Sequence, residues 1–401
     1  MATSRVLIIS QHPFPEFATQ SRNVAELLRA GIEVDLICTA AGPQRPDDRA
    51  ALRIFALRLE HRRTSATRYM FEYLMFFFWS IVHGLVLSIR HRYAAVVVDN
   101  PQDFLVFATV VARIRGARVV LEMMELTPEL AAARLGLARD HPLIQGLAWI
   151  ERLAIALVDH VIAVSEPCRE ILTQRGVGSD KISVITNTIP TVPIAPDVAL
   201  IQQRPAFLIT HSSLIERYGV DVAIHAFGAL SQAWPELTFR VLGEGHQRPA
   251  LMQMARRFGL EDRVIFRGFV PYPLALTEIQ QATVGIVAVI KDGYGELILP
   301  TKLLDYVQSD VAVVCARLPA IRHYFPDDAL SYFEPGDATG LALQVDRLLR
   351  HPREAREQAE RASRAMRPLS WQVMAPQYMA ALRLNAQRAR SRDGLTEELV
   401  Q

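Results

Sequence analysis

Cysteine is scarce in this 401-residue sequence, which holds only Cys38, Cys168 and Cys315, with no Cys-x-x-Cys pair. An odd count excludes a complete disulfide framework, and the wide spacing excludes a cysteine zinc site. All three cysteines lie in or beside apolar stretches, which indicates buried free thiols in a reducing compartment. An excess of one charge is also missing, because 44 Lys and Arg residues balance 42 Asp and Glu residues. This balance argues against nucleic acid as the main partner.

A secretory leader is not expected, because the first apolar run is short and no small-residue cleavage site follows it. We therefore predict a cytoplasmic protein whose N-terminus forms the first strand. No His-x-His or Asp-x-Asp group stands at a predicted strand end, so no metal is expected. Hydrophobic residues make up 50% of the chain and charged residues 21%, as in folded proteins of two or three domains.

Short, almost continuously apolar runs recur along the chain and alternate with helix candidates such as Ser21–Arg29 and Leu147–Leu157. Such runs are typical of parallel strands that are covered on both faces. The alternation predicts doubly wound α/β domains. The predicted strands of the first half are Arg5–Ser10, Glu33–Cys38, Ala94–Val98, Ala117–Leu121, His160–Val164 and Ile182–Thr186.

A proline-rich stretch, Asn187–Pro205, separates two such regions. It predicts a first domain over 1–190, a linker over 191–205, a second domain over 206–370, and a final helix with a polar tail over 371–401. The final amphipathic helix is expected over Trp371–Arg390. The second domain is predicted to contain strands Ala206–Thr210, Thr238–Leu242, Val264–Phe266, Thr283–Val289, Val311–Cys315 and Leu330–Phe333, with helices Val220–Trp234 and Arg248–Phe258.

The segment Tyr69–Ile89 is as long and nearly as apolar as a membrane span, but it contains Glu72, Ser80 and His83. It also lies between two predicted strands of one sheet, where a span would divide the domain. Arginines precede its interleaved aromatic residues, a pattern that suits a helix at a membrane surface. An apolar core helix, a membrane-surface helix and a span all stay open.

Ordered blocks along most of the chain carry a family resemblance. They read RVVLEMMELTPEL, VDHVIAVSEPCREIL and ISVITNTI in the first half. In the second half they read FRVLGEGHQRPALMQMARRFGLEDRVIFRGFVP, ELILPTKLLDYV and YFEPGDATGLALQVDRLLRHP. Together these blocks resemble the family 4 retaining glycosyltransferases of the GT-B fold, in the polysaccharide or glycoconjugate subgroup with a PTKLLD motif. The resemblance implies two Rossmann-like domains that face a cleft, with the last helix crossing back to the first domain.

A glycine pair before a predicted helix is the main phosphate-site candidate. Gly293, Tyr294 and Gly295 let backbone N–H groups approach a ligand, and the helix begins near Thr301 with Lys302 in its first turn. Helix N-termini favour anions such as a diphosphate. An ordinary glycine turn before a core helix is the alternative.

Two acidic residues flank this motif. Glu296 and Asp305 resemble the family's paired glutamates, which contact the donor sugar and the ribose hydroxyls, although their spacing is nine rather than eight. Asp replaces the more usual Glu at Asp305, and a carboxylate accepts two hydroxyl hydrogens well.

Two further turns are similar to donor-side turns of the family. Gly243 and Gly245 end a predicted strand like the family's Gly-x-Gly turn. Phe269 and Val270 follow the next strand, where the family's backbone faces the nucleotide base. Ordinary turns and a core position for Phe269 are the alternatives.

The sequence also departs from the family. Ser212 and Tyr218 stand where Arg and Lys usually neutralise the diphosphate, and Arg217 is the expected substitute because its fork matches phosphate. Met124 stands where the family has a histidine near the reacting sugar.

On the acceptor side, His12, Glu16 and Glu125 follow predicted strands. The carboxyl ends of parallel strands bind ligands, so these side chains are the acceptor-site candidates.

We therefore expect a retaining hexosyltransferase-like enzyme that uses a nucleotide-diphosphate sugar and needs neither metal nor cofactor. The acceptor is a sugar, a small molecule or a lipid-linked molecule. If Tyr69–Ile89 is a membrane-surface helix, the protein contacts the inner face of the plasma membrane peripherally and the acceptor is lipid-linked. A non-catalytic scaffold subunit and a sugar-nucleotide 2-epimerase are the rival hypotheses.

Overall fold

The computed structural model describes residues 4–41, 51–57, 66–188, 190 and 206–384. The chain divides into two units, of which the first comprises Met1–Ile189 with Trp371–Gln401 and the second Pro190–Ser370. The predicted linker over 191–205 lies outside the described residues.

The first unit is built on a parallel sheet in the order β5-β3-β1-β6-β7-β8-β9. Its central strands carry valine, leucine and isoleucine on both faces and are fully buried, as expected for a sheet covered by helices. The strands of the unit, including a two-residue pair formed by β2 and β4, are β1 Arg5–Ile9, β2 Pro13–Phe14, β3 Glu33–Cys38, β4 Ala40–Ala41, β5 Leu52–Ala56, β6 Ala95–Asp99, β7 Arg118–Met123, β8 His160–Ala163 and β9 Ile182–Val184.

Helices connect these strands. The helix predicted to begin at Leu147 begins five residues earlier, at Pro142, because His141 caps it by accepting the backbone N–H of Leu143. The α-helices of the first unit are Ala18–Arg29, Ala66–Arg90, Val110–Ile114, Thr127–Leu135, Pro142–Leu157, Glu166–Gln174 and Trp371–Ala381, with 3₁₀ helices at Asp103–Thr109 and Ser179–Lys181.

The long apolar helix Ala66–Arg90 is buried along one face only. Phe76, Ser80 and Leu87 are buried, but the opposite face exposes large apolar side chains, so the core-helix alternative is wrong. The segment Phe71–Arg90 is long and apolar enough to cross a membrane, and 33% of an 18-residue window within it is buried in the structure. The exposed apolar side chains of this helix are Phe71, Leu74, Met75, Phe78, Val82, Leu85, Val86 and Ile89.

The second unit holds a parallel sheet in the order β12-β11-β10-β13-β14-β15. Its strands are β10 Phe207–His211, β11 Thr238–Leu242, β12 Val264–Gly268, β13 Val284–Val287, β14 Ala312–Ala316 and β15 Ser331–Phe333. Its helices are Val220–Leu230, Arg248–Arg257, Tyr272–Ile279, Thr301–Gln308, Pro319–Tyr324, Ala338–Arg350 and Pro352–Met366, with 3₁₀ helices at Glu216–Tyr218, Gly295–Leu297 and Arg367–Leu369. Every strand predicted in either half is confirmed to within two residues at each end.

The last helix packs on the first unit, as the resemblance implies. It ends at Ala381, well before the expected Arg390, because Arg383 adopts a left-handed backbone with φ of 53°. Arg118 donates to the carbonyl of Ala381 at 2.6 Å, which ties the end of the helix to β7. Residues 385–401 lie outside the described part of the chain.

A buried arginine joins the two places where the chain leaves and re-enters the first unit. Arg22 donates to the carbonyls of Thr186 and Thr188, each at 2.8 Å, and its guanidinium lies 4.0 Å from the ring centre of Trp371. Glu122 lies 3.8 Å away and balances its charge. Arg22 therefore ties both of these chain segments to the helix Ala18–Arg29.

Candidate functional site

Three loops meet at the carboxyl ends of the neighbouring strands β11, β10 and β13 in the second unit. The backbone N–H of Leu214 donates to the carbonyl of Glu244 at 2.9 Å, which joins the loops after β10 and β11. Ile290 donates to the carbonyl of Arg217 at 2.9 Å, which joins the loops after β10 and β13. This edge of the sheet is where α/β proteins bind ligands.

Glycines make the close approach of these loops possible. Gly243 has a φ of 130°, and a Cβ there would overlap the carbonyl oxygen of Ser212. A Cβ at Gly245 would overlap the backbone of Leu214 in the same loop. The predicted Gly-x-Gly turn therefore packs directly on the loop that follows β10.

Lys302 lies in the first turn of the helix Thr301–Gln308 and is 3% exposed. Its Nζ is 4.6 Å from the ring centre of Tyr218 and has no hydrogen-bond partner among the described residues. Burial lowers the pKa of Lys302 to about 7. An uncompensated ammonium group at a helix N-terminus is suited to an anionic ligand. Thr301 beside it is exposed.

Arg217, the expected substitute for the family's missing cation, is already paired. Its Nε donates to Oδ2 of Asp292 at 2.7 Å, and its guanidinium lies 4.9 Å from the ring centre of Tyr294. Burial favours the neutral form of Asp292, but the N–H of Gly295 and the guanidinium of Arg217 outweigh it and lower the pKa of Asp292. A phosphate at Arg217 would therefore compete with Asp292.

The backbone N–H groups of the glycine loop are also engaged. Asp292 Oδ1 accepts from Tyr294 at 3.1 Å and from Gly295 at 2.6 Å. Glu296 Oε2 accepts from Gly293 at 2.7 Å. Two carboxylates thus occupy the donors that the sequence assigns to a phosphate, and Glu296 caps the loop.

Asp305 lies one turn beyond Lys302 and is 4% exposed. Its carboxylate contacts Tyr272 and His211, at 2.8 Å and 3.0 Å. Lys302 and Asp305 are both buried members of one helix, whereas Glu296, the partner of Asp305 in the predicted acidic pair, lies in the preceding 3₁₀ turn Gly295–Leu297.

Phe269 and Val270 follow β12 at the same edge of the sheet. Phe269 is 71% exposed, so the alternative that it is a core residue is wrong. An exposed aromatic ring beside a ligand edge is available for stacking.

The acceptor-side candidates follow strands β1 and β7 of the first unit, which flank β6 in the sheet. His12 stacks on Phe17 with ring centres 3.9 Å apart, and Glu16 is exposed. Glu125 is half-buried, and its backbone N–H donates to the side chain of Asn100 at 3.1 Å.

Met124 is buried, and its backbone N–H donates to the same Asn100 side chain at 2.7 Å. A methionine side chain neither donates a hydrogen bond nor carries a charge, so Met124 itself cannot replace a histidine at this position.

Sequence reasoning missed a buried carboxyl pair beneath this edge. Asp99 and Glu122 are opposite each other on β6 and β7, and burial together with Glu122 raises the pKa of Asp99 well above its usual value. The predicted strands Ala94–Val98 and Ala117–Leu121 each end one residue before this pair. Asp292 was missed as well, although an Asp-Gly pair is a turn signal.

Two family models match the chain, over most of its length. The model described as "Glycosyl transferase 4-like domain" matches residues 18–188, and the one described as "Glycosyl transferases group 1" matches residues 205–351. The gpi3 subunit of phosphatidylinositol N-acetylglucosaminyltransferase from Schizosaccharomyces pombe is 24% identical over 179 residues, which are 44% of this chain and 38% of that protein. The putative colanic acid biosynthesis glycosyltransferase WcaL of Escherichia coli is 24% identical over 189 residues, 47% of each chain. The chain thus spans less than half the length of these curated relatives.

Solved structures share the whole fold. HepE of Anabaena, solved in complex with UDP, has a TM-score of 0.69 at 17% identity and covers 94% of this chain and 99% of its own. Sucrose-phosphate synthase of Thermosynechococcus elongatus has a TM-score of 0.71 at 16% identity, covering 95% and 98%. These similarities confirm the GT-B fold of two Rossmann-like units. With both family models matched in order along the sequence, the chain belongs to the group 1 glycosyl transferases.

Proposed function

We propose that the chain is a retaining glycosyltransferase whose second unit binds a nucleotide-diphosphate sugar. The observation that carries this proposal is Lys302, a buried lysine at a helix N-terminus with no hydrogen-bond partner in the described part of the chain. Asp305 in the same helix offers a carboxylate for ribose hydroxyls. The titles of similar structures support a nucleotide donor, because HepE was solved with UDP and with UDP-glucose.

Charge stabilisation carries the chemistry in this proposal. Cleavage of the sugar–phosphate bond puts negative charge on the departing diphosphate, and Lys302 with the helix N-terminus stabilises that charge. Arg217 adds a second cation once the phosphate displaces Asp292. The acceptor oxygen bonds to the anomeric carbon on the same face that the diphosphate leaves, which gives retention, and the departing phosphate takes the proton of the acceptor hydroxyl, so no side-chain base is needed. The product belongs to surface polysaccharide or glycoconjugate synthesis, as the name of WcaL suggests for that relative.

A thermal-shift screen against UDP, GDP, ADP and TDP tests the donor site. A ligand of the folded state stabilises it by about 2.7 kcal/mol at a hundredfold excess over its Kd. We expect a selective shift with one nucleotide, and its loss in Lys302→Met and in Asp305→Asn. Exposed Lys291 provides the matched control, because Lys291→Met removes a lysine from the neighbouring loop without touching the helix.

EDTA should leave the nucleotide shift unchanged, since protein cations meet the phosphate charge in this proposal. No shift with any nucleotide would refute the donor site. It would favour the non-catalytic scaffold, and a search for a protein partner would follow.

We also propose that the first unit contacts an anionic membrane and takes a lipid-linked acceptor there. The exposed apolar face of the helix Ala66–Arg90 includes Phe78, which is 60% exposed. The helix packs beside Val110–Ile114, where Ile114 is 79% exposed and extends the apolar surface. Exposed arginines, Arg90 among them, lie at the end of the long helix. Apolar side chains beside basic ones match an anionic lipid surface.

Co-sedimentation with phosphatidylglycerol vesicles tests this contact, with phosphatidylcholine vesicles for comparison. We expect binding to the anionic vesicles that weakens as salt is raised and is lost in the double variant Phe71→Asp with Phe78→Asp. Leu343→Asp is the control, because Leu343 is an equally exposed apolar residue of the second unit. Self-association on the same face without vesicle binding would refute the membrane contact.

A further inference from the structure

A pocket of about 290 Å³ opens in the first unit near the amino ends of strands β8 and β9. The second half of the helix Pro142–Leu157 forms one wall, and residues 175–181, which lead into β9, form the other. This volume is close to the lower end of the range for pockets that hold small molecules. The donor and acceptor candidates follow the carboxyl ends of strands, so the pocket belongs to neither of those sites.

A buried carboxylate forms the floor of the pocket. Glu151 is 1% exposed, its Oε1 accepts from Arg175, and its Oε2 has no hydrogen-bond partner among the described residues. Arg175 also donates to Glu129, so one guanidinium serves two carboxylates. Burial above all raises the pKa of Glu151, and Glu129 adds to this effect against the pull of Arg175. The floor therefore lacks both a hydrogen-bond donor and a positive charge.

Two cations lie at the mouth of the same pocket. Arg152 is exposed and forms neither a hydrogen bond nor an ion pair within the part of the chain that the structure describes. Lys181 Nζ donates to the carbonyl of Ile155 at 2.6 Å, which leaves two of its three N–H donors for a ligand. Asp159 and Asp180 lie near Lys181 and meet only part of this charge. Arg152 and Lys181 together suit a phosphate group.

We propose that this pocket binds a phosphoethanolamine group, with its ammonium against Glu151 and its phosphate between Arg152 and Lys181. The inference goes beyond glycosyl transfer and does not rest on the donor site. The order of the two charges follows from burial, because Glu151 is buried and Arg152 is exposed. The ammonium enters first, and the phosphate stays at the mouth, where an ester bond can lead out of the pocket.

Exposed apolar side chains surround this mouth. Trp149 is 60% exposed and lies three residues before Arg152 on the same helix, so the two side chains share a face. Arg113 donates to the carbonyl of Leu157, which joins the pocket helix to the short helix that ends at Ile114. Ile114 is 79% exposed and belongs to the apolar surface proposed to contact a membrane. A lipid headgroup and a free phosphate ester share the recognised group, and this position favours the lipid.

Isothermal titration calorimetry on the full chain compares phosphoethanolamine with phosphocholine and inorganic phosphate. We expect phosphoethanolamine to bind at least about 10-fold more tightly than either, because neither brings an N–H donor with a positive charge to Glu151. Glu151→Gln should weaken phosphoethanolamine binding by at least about 10-fold and leave the Kd of inorganic phosphate unchanged. Arg152→Gln should weaken the binding of all three ligands. Arg139→Gln is the matched control, since it removes an exposed arginine beyond the other end of the helix and should change none of them.

Co-sedimentation with phosphatidylcholine vesicles, with and without phosphatidylethanolamine, distinguishes the two sources of the group. We expect phosphatidylethanolamine to increase binding, and Arg152→Gln to abolish the increase. Phosphoethanolamine binding without any such increase would keep the pocket and overturn the lipid as its source. Equal affinity for phosphoethanolamine and phosphocholine, or an unchanged affinity in Glu151→Gln, would overturn the inference. Nucleotide binding is measured separately, so either result leaves the donor site in place.

Discussion

Lys302 makes a quantitative prediction about stability and pH. Its pKa of about 7 in the folded chain compares with 10.5 for a free lysine. Between these pH values the unfolded chain binds more protons than the folded chain, so this lysine makes the free energy of unfolding rise with pH. At about 1.4 kcal/mol for each pH unit, the lysine costs about 4 kcal/mol at pH 7 and about 2 kcal/mol at pH 9.

Lys302→Met removes the ammonium group and keeps an unbranched apolar chain. We expect the variant to be more stable than the wild-type chain by up to about 4 kcal/mol at pH 7, and its advantage to shrink by about 2 kcal/mol at pH 9. Urea unfolding at both pH values measures the two differences. All other titrating groups are common to both proteins, so their effects cancel.

The exposed Lys291→Met substitution should show no advantage at either pH. An advantage of Lys302→Met that is the same at pH 7 and pH 9 would refute the reasoning, because an apolar substitution alone has no pH dependence. A bound diphosphate should also raise the pKa of Lys302, so nucleotide binding at pH 8 should take up nearly one proton. Calorimetry in buffers of different ionisation enthalpy measures that uptake, which Lys302→Met should abolish.

Three further substitutions give measurable outcomes. Gly243→Ala should lower the free energy of unfolding by about 1–3 kcal/mol in urea titrations, because its Cβ would overlap a backbone carbonyl of the facing loop; unchanged stability would show that the loop gives way. Arg22→Met should cost about 3–5 kcal/mol in the same assay, since it leaves a buried carboxylate without its cation; a loss under 1 kcal/mol would contradict this. Asp292→Asn keeps the acceptor for the loop N–H groups but releases Arg217, so UDP should bind several-fold more tightly by calorimetry; weaker binding would show that Asp292 positions Arg217 instead.

The strands were predictable because burial on both faces demands uninterrupted apolar residues. The edge strand Leu52–Ala56 was missed because it lacks such a run. Its residues are mostly half-buried and include Arg53. Helix ends were harder to predict. The helix at Trp371 stops where Arg383 turns to positive φ, and no residue type there announces the change.

The candidate site was predictable only where neighbours in sequence share a helix or a loop. Lys302 and Asp305 lie three residues apart on one helix, so the sequence could pair them. Tyr272 reaches Asp305 across 33 residues, and Arg217 reaches Asp292 across 75, through contacts that only the folded sheet creates. The residue type of Arg217 suggested a phosphate-binding cation, but the spacing along the sequence could not show that Asp292 binds it.

The position of the last helix has a consequence for synthesis. The first unit needs Trp371–Ala381, yet the whole second unit is translated between Ile189 and that helix. At about 5–20 residues per second, the delay is roughly 10–40 s. During that time the guanidinium of Arg22 lacks the ring that later covers it. A nascent chain that stops before Trp371 would therefore leave uncovered the apolar surface on which Trp371, Tyr378 and Met379 are buried, and exposed apolar surface of this kind is what chaperones bind.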